Sequence, residues 1–208
     1  MQSEGIVHVV DDDAAMRESL LLLLTSAGMD ARAYDSAAAL LAALEAGTED
    51  TARCLVTDLH MPDVGGLELQ ARLAGSPHAM PVVVITGQGD VPGAVRALKA
   101  GAVDFIEKPF STDVLLDCVT EALARDRGSR TQAARARAAE LRLAALTARE
   151  REVMDKLLDG NANKVVAIDL GISERTVEQH RASLMRKLSV RTVTELLELA
   201  IAAGHRMP

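Results

Sequence analysis

The segment VHVVDDDAAM, residues 7–16, sets Asp11, Asp12 and Asp13 side by side straight after an apolar run. Like charges about 4–5 Å apart repel by roughly 3–4 kcal/mol at an effective dielectric near 20, so their clustering asks for a cation. Three more residues of suitable type end other apolar runs: Asp58 in LVTD, Thr86 in VVVIT and Lys108 after DFIE. A hard divalent cation such as Mg²⁺ takes oxygen ligands in an octahedron and keeps several waters, and carboxylates at Asp11, Asp12 and Asp58 would form part of such a shell. Asp58 is the single acid of its run, which makes it the natural nucleophile, since an Asp carboxylate can form an acyl phosphate. Lys108 can offset the remaining negative charge and pair with a phosphoryl oxygen, and Thr86 can donate its hydroxyl to the same group. Loose phosphoryl-transfer transition states need chiefly this positioning and neutralisation.

Each residue also has a plainer reading. An Asp pair after a strand commonly caps a helix, and Asp58 could cap the loop that follows it. Thr86 could be a loop hydroxyl, Lys108 a solvated charge, Pro109 a turn and Phe105 core. Joint occurrence, in order, at the ends of the first, third, fourth and fifth strand candidates is what favours a site.

The elements that must position these residues follow from periodicity. Strand candidates are Ile6–Val10, Asp30–Tyr34, Cys54–Thr57, Pro81–Thr86 and Val103–Glu107. PVVVIT is apolar on both faces, as a central parallel strand requires. Helical patterns lie between them: about Ala14–Ala27, from Ser36 to Gly47, and about Leu67–Ala74, Pro92–Ala100 and Asp113–Ala124. Such alternation predicts a doubly wound parallel sheet, whose ligand site lies beyond the carboxyl ends of the strands. Residues 126–145 lack a two-sided apolar pattern and read as a linker with helical tendency, with Gly128 and Ser129 marking a break. Four helical segments follow: Ala148–Leu158, Asn163–Leu170, Glu174–Leu188 and Thr192–Ala203.

The chain has 208 residues, 49% of them hydrophobic, and no Trp, so its cores must be built from aliphatic side chains. That length suits two domains. The net charge of −7 is uneven: residues 1–126 carry 8 basic and 20 acidic side chains, residues 127–145 carry 5 and 1, and residues 146–208 carry 10 and 9. Few aromatics argue against single-strand base stacking. Cys54 and Cys118 sit in apolar runs and read as core residues of a reducing compartment. No apolar run approaches the ~20 residues of a membrane span, so a cytoplasmic location is expected.

In the C-terminal part, helix, Gly171 turn, helix is a helix-turn-helix pattern with Ser173 as the N-cap of the second helix. Val166, Ile168, Leu170, Ile172, Val177, Leu184 and Leu188 form its expected apolar seam. Arg175, Glu178, Gln179, Arg181, Ala182, Arg186 and Lys187 lie on the other side, where cations suit phosphates and Gln or Glu suit base edges. A plain helical bundle with a solvated charged face is the competing reading.

Residues 1–125, through VVDDD, LVTDLHMPDVGG, VVVITGQGD and AGAVDFIEKPF, resemble the receiver domain of two-component response regulators. The resemblance implies a flavodoxin-like α/β domain with a five-stranded parallel sheet. Asp11 and Asp12 match its acidic Mg²⁺-binding pair, Asp58 its phospho-acceptor, and His60 the residue whose backbone carbonyl joins the metal shell. Thr86 and Lys108 match its phosphoryl-sensing pair, Lys108–Pro109 its cis peptide, and Phe105 the aromatic switch that turns inward as Thr86 moves. Asp13 has no family role and reads as a helix cap. Residues 146–208, through LTAREREV, NKVVAIDLGISERTVEQHRASLMRKL and TVTELLELAIAAG, resemble the all-α LuxR-type domain of the NarL/FixJ regulators. That likeness turns Glu178, Gln179 and Ala182 toward bases. It turns Lys164, Arg175, Thr176, Arg181 and Lys187 toward the DNA backbone, and makes Val193, Leu196, Leu197 and Ala200 dimer contacts.

The whole then implies a receiver (1–125), a partly helical linker (126–145) and a DNA-binding domain (146–208). A sensor histidine kinase would phosphorylate Asp58 with Mg²⁺ present. The chain would next dimerise and bind promoter DNA to regulate transcription, with RNA polymerase as a further partner. No other cofactor and no membrane are implied, and there is no enzymatic role beyond self-phosphotransfer and self-dephosphorylation. Two rivals remain. One is a phosphorylation-independent DNA-binding regulator with a receiver-like dimerisation domain. The other is a Mg²⁺-dependent phosphohydrolase, whose general acid would fall at position 60, here His60.

Overall fold

The computed structural model describes residues 5–47, 51–87 and 91–205. Gln88 to Asp90 of the VVVITGQGD motif lie outside the described residues. The chain divides into two compact units, residues 1–130 and 131–208.

In the first unit, strands β1 (Ile6–Val10), β2 (Asp30–Tyr34), β3 (Arg53–Asp58), β4 (Val82–Thr86) and β5 (Asp104–Glu107) alternate with helices. These are α1 (Ala14–Ser26), α2 (Ala37–Ala46), α3 (Gly66–Ala74), α4 (Val91–Lys99) and α5 (Thr112–Ala144). All pairings are parallel, in the order β2-β1-β3-β4-β5. Alternate residues of the same strands feed two cores. Val7, Val9, Cys54, Val56, Val83 and Ile85 pack with α1 and α5. Val10, Leu55, Val82 and Val84 pack with α2, α3 and α4. A sheet buried on both faces explains why β4 is apolar from Val82 to Ile85.

The register sets Val10 against Thr57, Asp58 against Ile85 and Thr86 against Glu107, so these strand ends share one edge. Asp13 caps α1 by accepting N–H bonds from Ala15 (2.9 Å) and Met16 (3.4 Å). This is the helix-cap role the sequence suggests for it.

The expected break at Gly128–Ser129 does not occur: α5 continues for 33 residues to Ala144. A glycine costs a helix only about 1 kcal/mol relative to Ala, and the flanking Ala, Arg, Glu and Leu residues favour helix. Asp126 adds a local brace, accepting the Arg53 backbone N–H (2.9 Å) and Arg130 Nε one turn on (2.7 Å). Near the end of α5, Ala139 and Leu143 are buried in the second unit's core, so that stretch is packed structure.

The second unit adds α6 (Ala148–Leu158), α7 (Asn163–Leu170), α8 (Glu174–Lys187) and α9 (Val193–Ala202). Gly171 ends α7 in the left-handed conformation at φ 64°, and Ser173 caps α8. Val166, Val177, Leu184 and Leu188 join the core as the seam requires. Ile168 does not: it is 73% exposed. The buried face of α7 is set by Val166 and Ala167, and a side chain one position past Ala167 turns away by about 100°.

Candidate functional site

The edge formed by β1, β3, β4 and β5 brings Asp11, Asp58 and Lys108 into contact. Asp11 is buried, because the chain leaves β1 beneath the first turn of α1. Its Oδ1 accepts the Asp13 N–H at 2.8 Å, and its Oδ2 faces Lys108 Nζ at 3.5 Å. Arg17 closes this loop from outside, Nη1 donating to the carbonyl oxygens of Asp11 (2.8 Å) and Asp12 (3.3 Å). Asp12 itself is exposed. Asp58 is held at both oxygens: Oδ1 accepts the His60 N–H at 2.7 Å, and Oδ2 accepts from Lys108 Nζ.

Lys108 is placed by the β4–β5 edge, where its N–H donates to the Thr86 carbonyl at 2.9 Å and the Lys108–Pro109 peptide is cis. Thr86 is buried, its hydroxyl 3.5 Å from the Gly87 carbonyl. Phe105 is 38% exposed, its ring turned outward.

The electrostatics follow from burial. Desolvation pushes the Asp11 carboxyl above its ordinary value, more than the Asp13 N–H and the Lys108 charge pull it down. For Lys108 burial works the other way, yet the hydrogen bond and charge of Asp58 outweigh it and hold the ammonium above its ordinary value. Among the described residues, no three His, Cys, Asp or Glu side chains form a closed cation cage. What the pocket offers is a partial one. Asp11 Oδ2 is buried and makes no well-formed hydrogen bond, its one named partner being the Lys108 ammonium at 3.5 Å, which also contacts Asp58. A buried carboxylate oxygen left in this way suits a hard cation that draws its remaining ligands from water and backbone.

Two features of the site escaped sequence reasoning. At Gly66 an added Cβ would collide with the Asp58 carbonyl oxygen, so only glycine lets α3 start against the end of β3. The GG of DVGG was the available signal. Arg17 had no signal beyond its place one turn past the Asp13 cap.

In the second unit, Lys164, Arg175, Glu178, Gln179 and Ala182 are exposed, while Thr176 and Arg181 are half-buried. Thr176 shares the cap of α8, its N–H donating to Ser173 Oγ at 3.1 Å, and Arg181 Nη1 donates to Asn163 Oδ1 at 3.3 Å. Lys187 differs from these, since its ammonium donates to the buried Glu150 at 2.7 Å. Of the expected dimer contacts on α9, Leu196 and Ala200 are buried in the unit itself. A helix core and a dimer seam need the same apolar spacing, and here the core takes these two.

Residues 7–120 match the family described as response regulator receiver domain, and residues 144–200 match the bacterial regulatory proteins of the luxR family. Among curated relatives, the transcriptional regulatory protein FixJ of Azorhizobium caulinodans is 46% identical, with 95% of this chain and 92% of that protein covered. FixJ of Rhizobium meliloti is 42% identical over 95% of this chain and 96% of its own length. Among solved structures, the response regulator StyR superposes with a TM-score of 0.83 at 39% identity, over 96% of this chain and 99% of that one.

Proposed function

The chain belongs to the response regulators of the NarL/FixJ type, a receiver joined to a LuxR-type DNA-binding domain, and from that premise we propose that Asp58 is its phospho-acceptor. The observation that carries this is the contact of Lys108 with Asp58 beside the buried Asp11 carboxylate, whose Oδ2 the same ammonium faces at 3.5 Å. Asp11 and Asp12, with Asp58 and the His60 carbonyl, would hold Mg²⁺, which supplies charge neutralisation for the incoming phosphoryl group. A sensor histidine kinase is the donor. One Asp58 oxygen attacks phosphorus, the bond to the kinase imidazole breaks, and an acyl phosphate remains on Asp58. Lys108 then exchanges its bond to the carboxylate for one to a phosphoryl oxygen, and the buried Thr86 hydroxyl is placed to follow. Phe105, exposed at rest, takes the space that Thr86 vacates.

The proposed domains are a receiver at 1–125, a connecting helical segment at 126–145 and a DNA-binding domain at 146–208, acting in the cytoplasm. Phosphorylation acts only through the difference it makes between two states. The activated state forms a homodimer whose α8 helices, through Glu178, Gln179 and Ala182, enter the major groove of promoter DNA. Lys164, Arg175, Thr176 and Arg181 meet phosphates, and RNA polymerase is the further partner. Self-phosphotransfer and self-dephosphorylation at Asp58 are the chain's own chemistry.

The test is incubation with acetyl phosphate and Mg²⁺, followed by mass measurement of the chain and its DNA complex. The expected result is one added phosphoryl group, a rise in oligomeric mass and tighter DNA binding, all lost in Asp58→Asn. A variant that still takes up phosphate, or DNA binding untouched by both treatment and substitution, would refute this reading. The second outcome would favour a phosphorylation-independent regulator.

A further inference from the structure

Glu150, in the first turn of α6, is 4% exposed and receives four hydrogen bonds. Its Oε2 accepts from the Thr147 N–H (2.8 Å), the Thr147 hydroxyl (2.9 Å) and Lys187 Nζ (2.7 Å), and its Oε1 accepts from the Ser183 hydroxyl (2.7 Å). The first belongs to the capping box that starts α6, whose other half is the Glu150 N–H donating to Thr147 Oγ1 at 3.3 Å. The last two reach across to α8, one turn apart on a single flank of that helix. These bonds hold the carboxyl at a pKa of about 2, with the Lys187 bond the largest cause. At about 100° per residue, Lys187 falls about 140° around the helix from Ala182 and about 80° from Gln179, past the edge of the row formed by Glu178, Ala182 and Gln179.

We propose that Glu150 is a positioning residue for DNA binding: it grips Ser183 and Lys187 on one flank of α8, so that Lys187, although its side chain is 36% exposed, is the counter-ion of Glu150 and makes no phosphate contact. This rests on the reading of α8 as the DNA-facing helix, and it removes Lys187 from the backbone contacts that the family resemblance implies. The clamp is made of charge-assisted bonds to a buried carboxylate, which are short and geometrically demanding. It therefore fixes the rotation of α8 against α6, which decides which side chains face outward. It also spends a cation that would otherwise add affinity for any duplex, whatever its sequence.

The test uses the full chain, treated with beryllofluoride and Mg²⁺, binding a mixed-sequence DNA duplex over a range of salt concentrations. Each phosphate contact contributes about 0.9 to the slope of log affinity against log salt. Lys187→Met keeps the aliphatic stem; it is expected to weaken binding with the parent's slope. Glu150→Gln frees the ammonium in each subunit, and the slope for the dimer is expected to steepen by about 1.8, two contacts at about 0.9 each. A slope shallower by about 1.8 in Lys187→Met, or a Glu150→Gln slope no steeper than the parent's, would overturn the proposal. If Glu150→Gln does not fold, Lys187→Met decides alone. A parent chain without salt-dependent binding would reject the DNA-facing reading of α8 itself, and the proposal with it.

Discussion

Burial disfavours the charge on Asp11. It raises the pKa, so the fold favours the protonated form more than the unfolded chain does. By linkage this costs stability once the pH rises above the ordinary carboxylate range, neutral pH included. Asn keeps the shape and can still accept the Asp13 N–H. Asp11→Asn is therefore expected to raise the thermal midpoint of the first unit at neutral pH without added metal. Mg²⁺ should raise the parent's midpoint, since a ligand that binds only the folded state stabilises it, and should leave that of Asp11→Asn unmoved. Thermal scans of both proteins with and without Mg²⁺ check this. A variant less stable than the parent, or one still stabilised by Mg²⁺, would show that Asp11 serves the fold and not the ion. The residue types were legible at this scale, since acids and a lysine ending successive apolar runs have few other uses in concert. The bonding was not: nothing in Arg17 or Glu150 as letters says which carbonyl or hydroxyl each will meet.

The helix α5 crosses the stretch where a break is expected from composition. Gly128 has open space around an added Cβ and a φ outside the left-handed region, so alanine fits there without strain. Gly128→Ala is expected to stabilise the chain by roughly 0.5–1 kcal/mol, through lower backbone entropy in the unfolded state. Denaturant titration measures it, and a destabilised variant would mean that the glycine has a conformational task. Other elements matched expectation to within a residue or two, because their signals are local. Ser36, Thr147 and Ser173 cap helices by side-chain bonds to backbone N–H groups, and Gly28 and Gly171 adopt positive φ beyond or at helix ends. The packing of Ala139 and Leu143 had no such signal, since two apolar residues on a basic helix show no face until a partner supplies one.

Over the whole molecule the aliphatic side chains divide among separate cores, and the core of residues 139–199 shares no member with those of the first unit. Leu184, fully buried on α8, sits in that second core. Leu184→Ala is expected to cost about 2–5 kcal/mol in the second unit, from lost burial and the cavity left behind. Calorimetry should show the Mg²⁺-sensitive transition of the first unit in place while the other moves down. If both transitions moved together, the units would unfold as one. The acidic balance of residues 1–126 against the mildly basic remainder fits the proposed division of labour, a cation site in one part and a polyanion partner for the other.

The sequence by itself determined the fold class, the order and bounds of most elements, and the identity of Asp11, Asp58, Thr86 and Lys108 as residues of one strand edge. Hydrophobic period, capping side chains and turn glycines act over a few residues and can be read in order along a chain. Tertiary structure alone decided how each charge is paired: Lys108 against Asp58, Arg17 over the acidic loop, and Lys187 on Glu150. It also decided that Ile168 lies outside its seam while Leu196 and Ala200 lie within the core. Partners far apart in sequence are chosen by burial and by the geometry of the few donors within reach, and neither exists before the chain has folded.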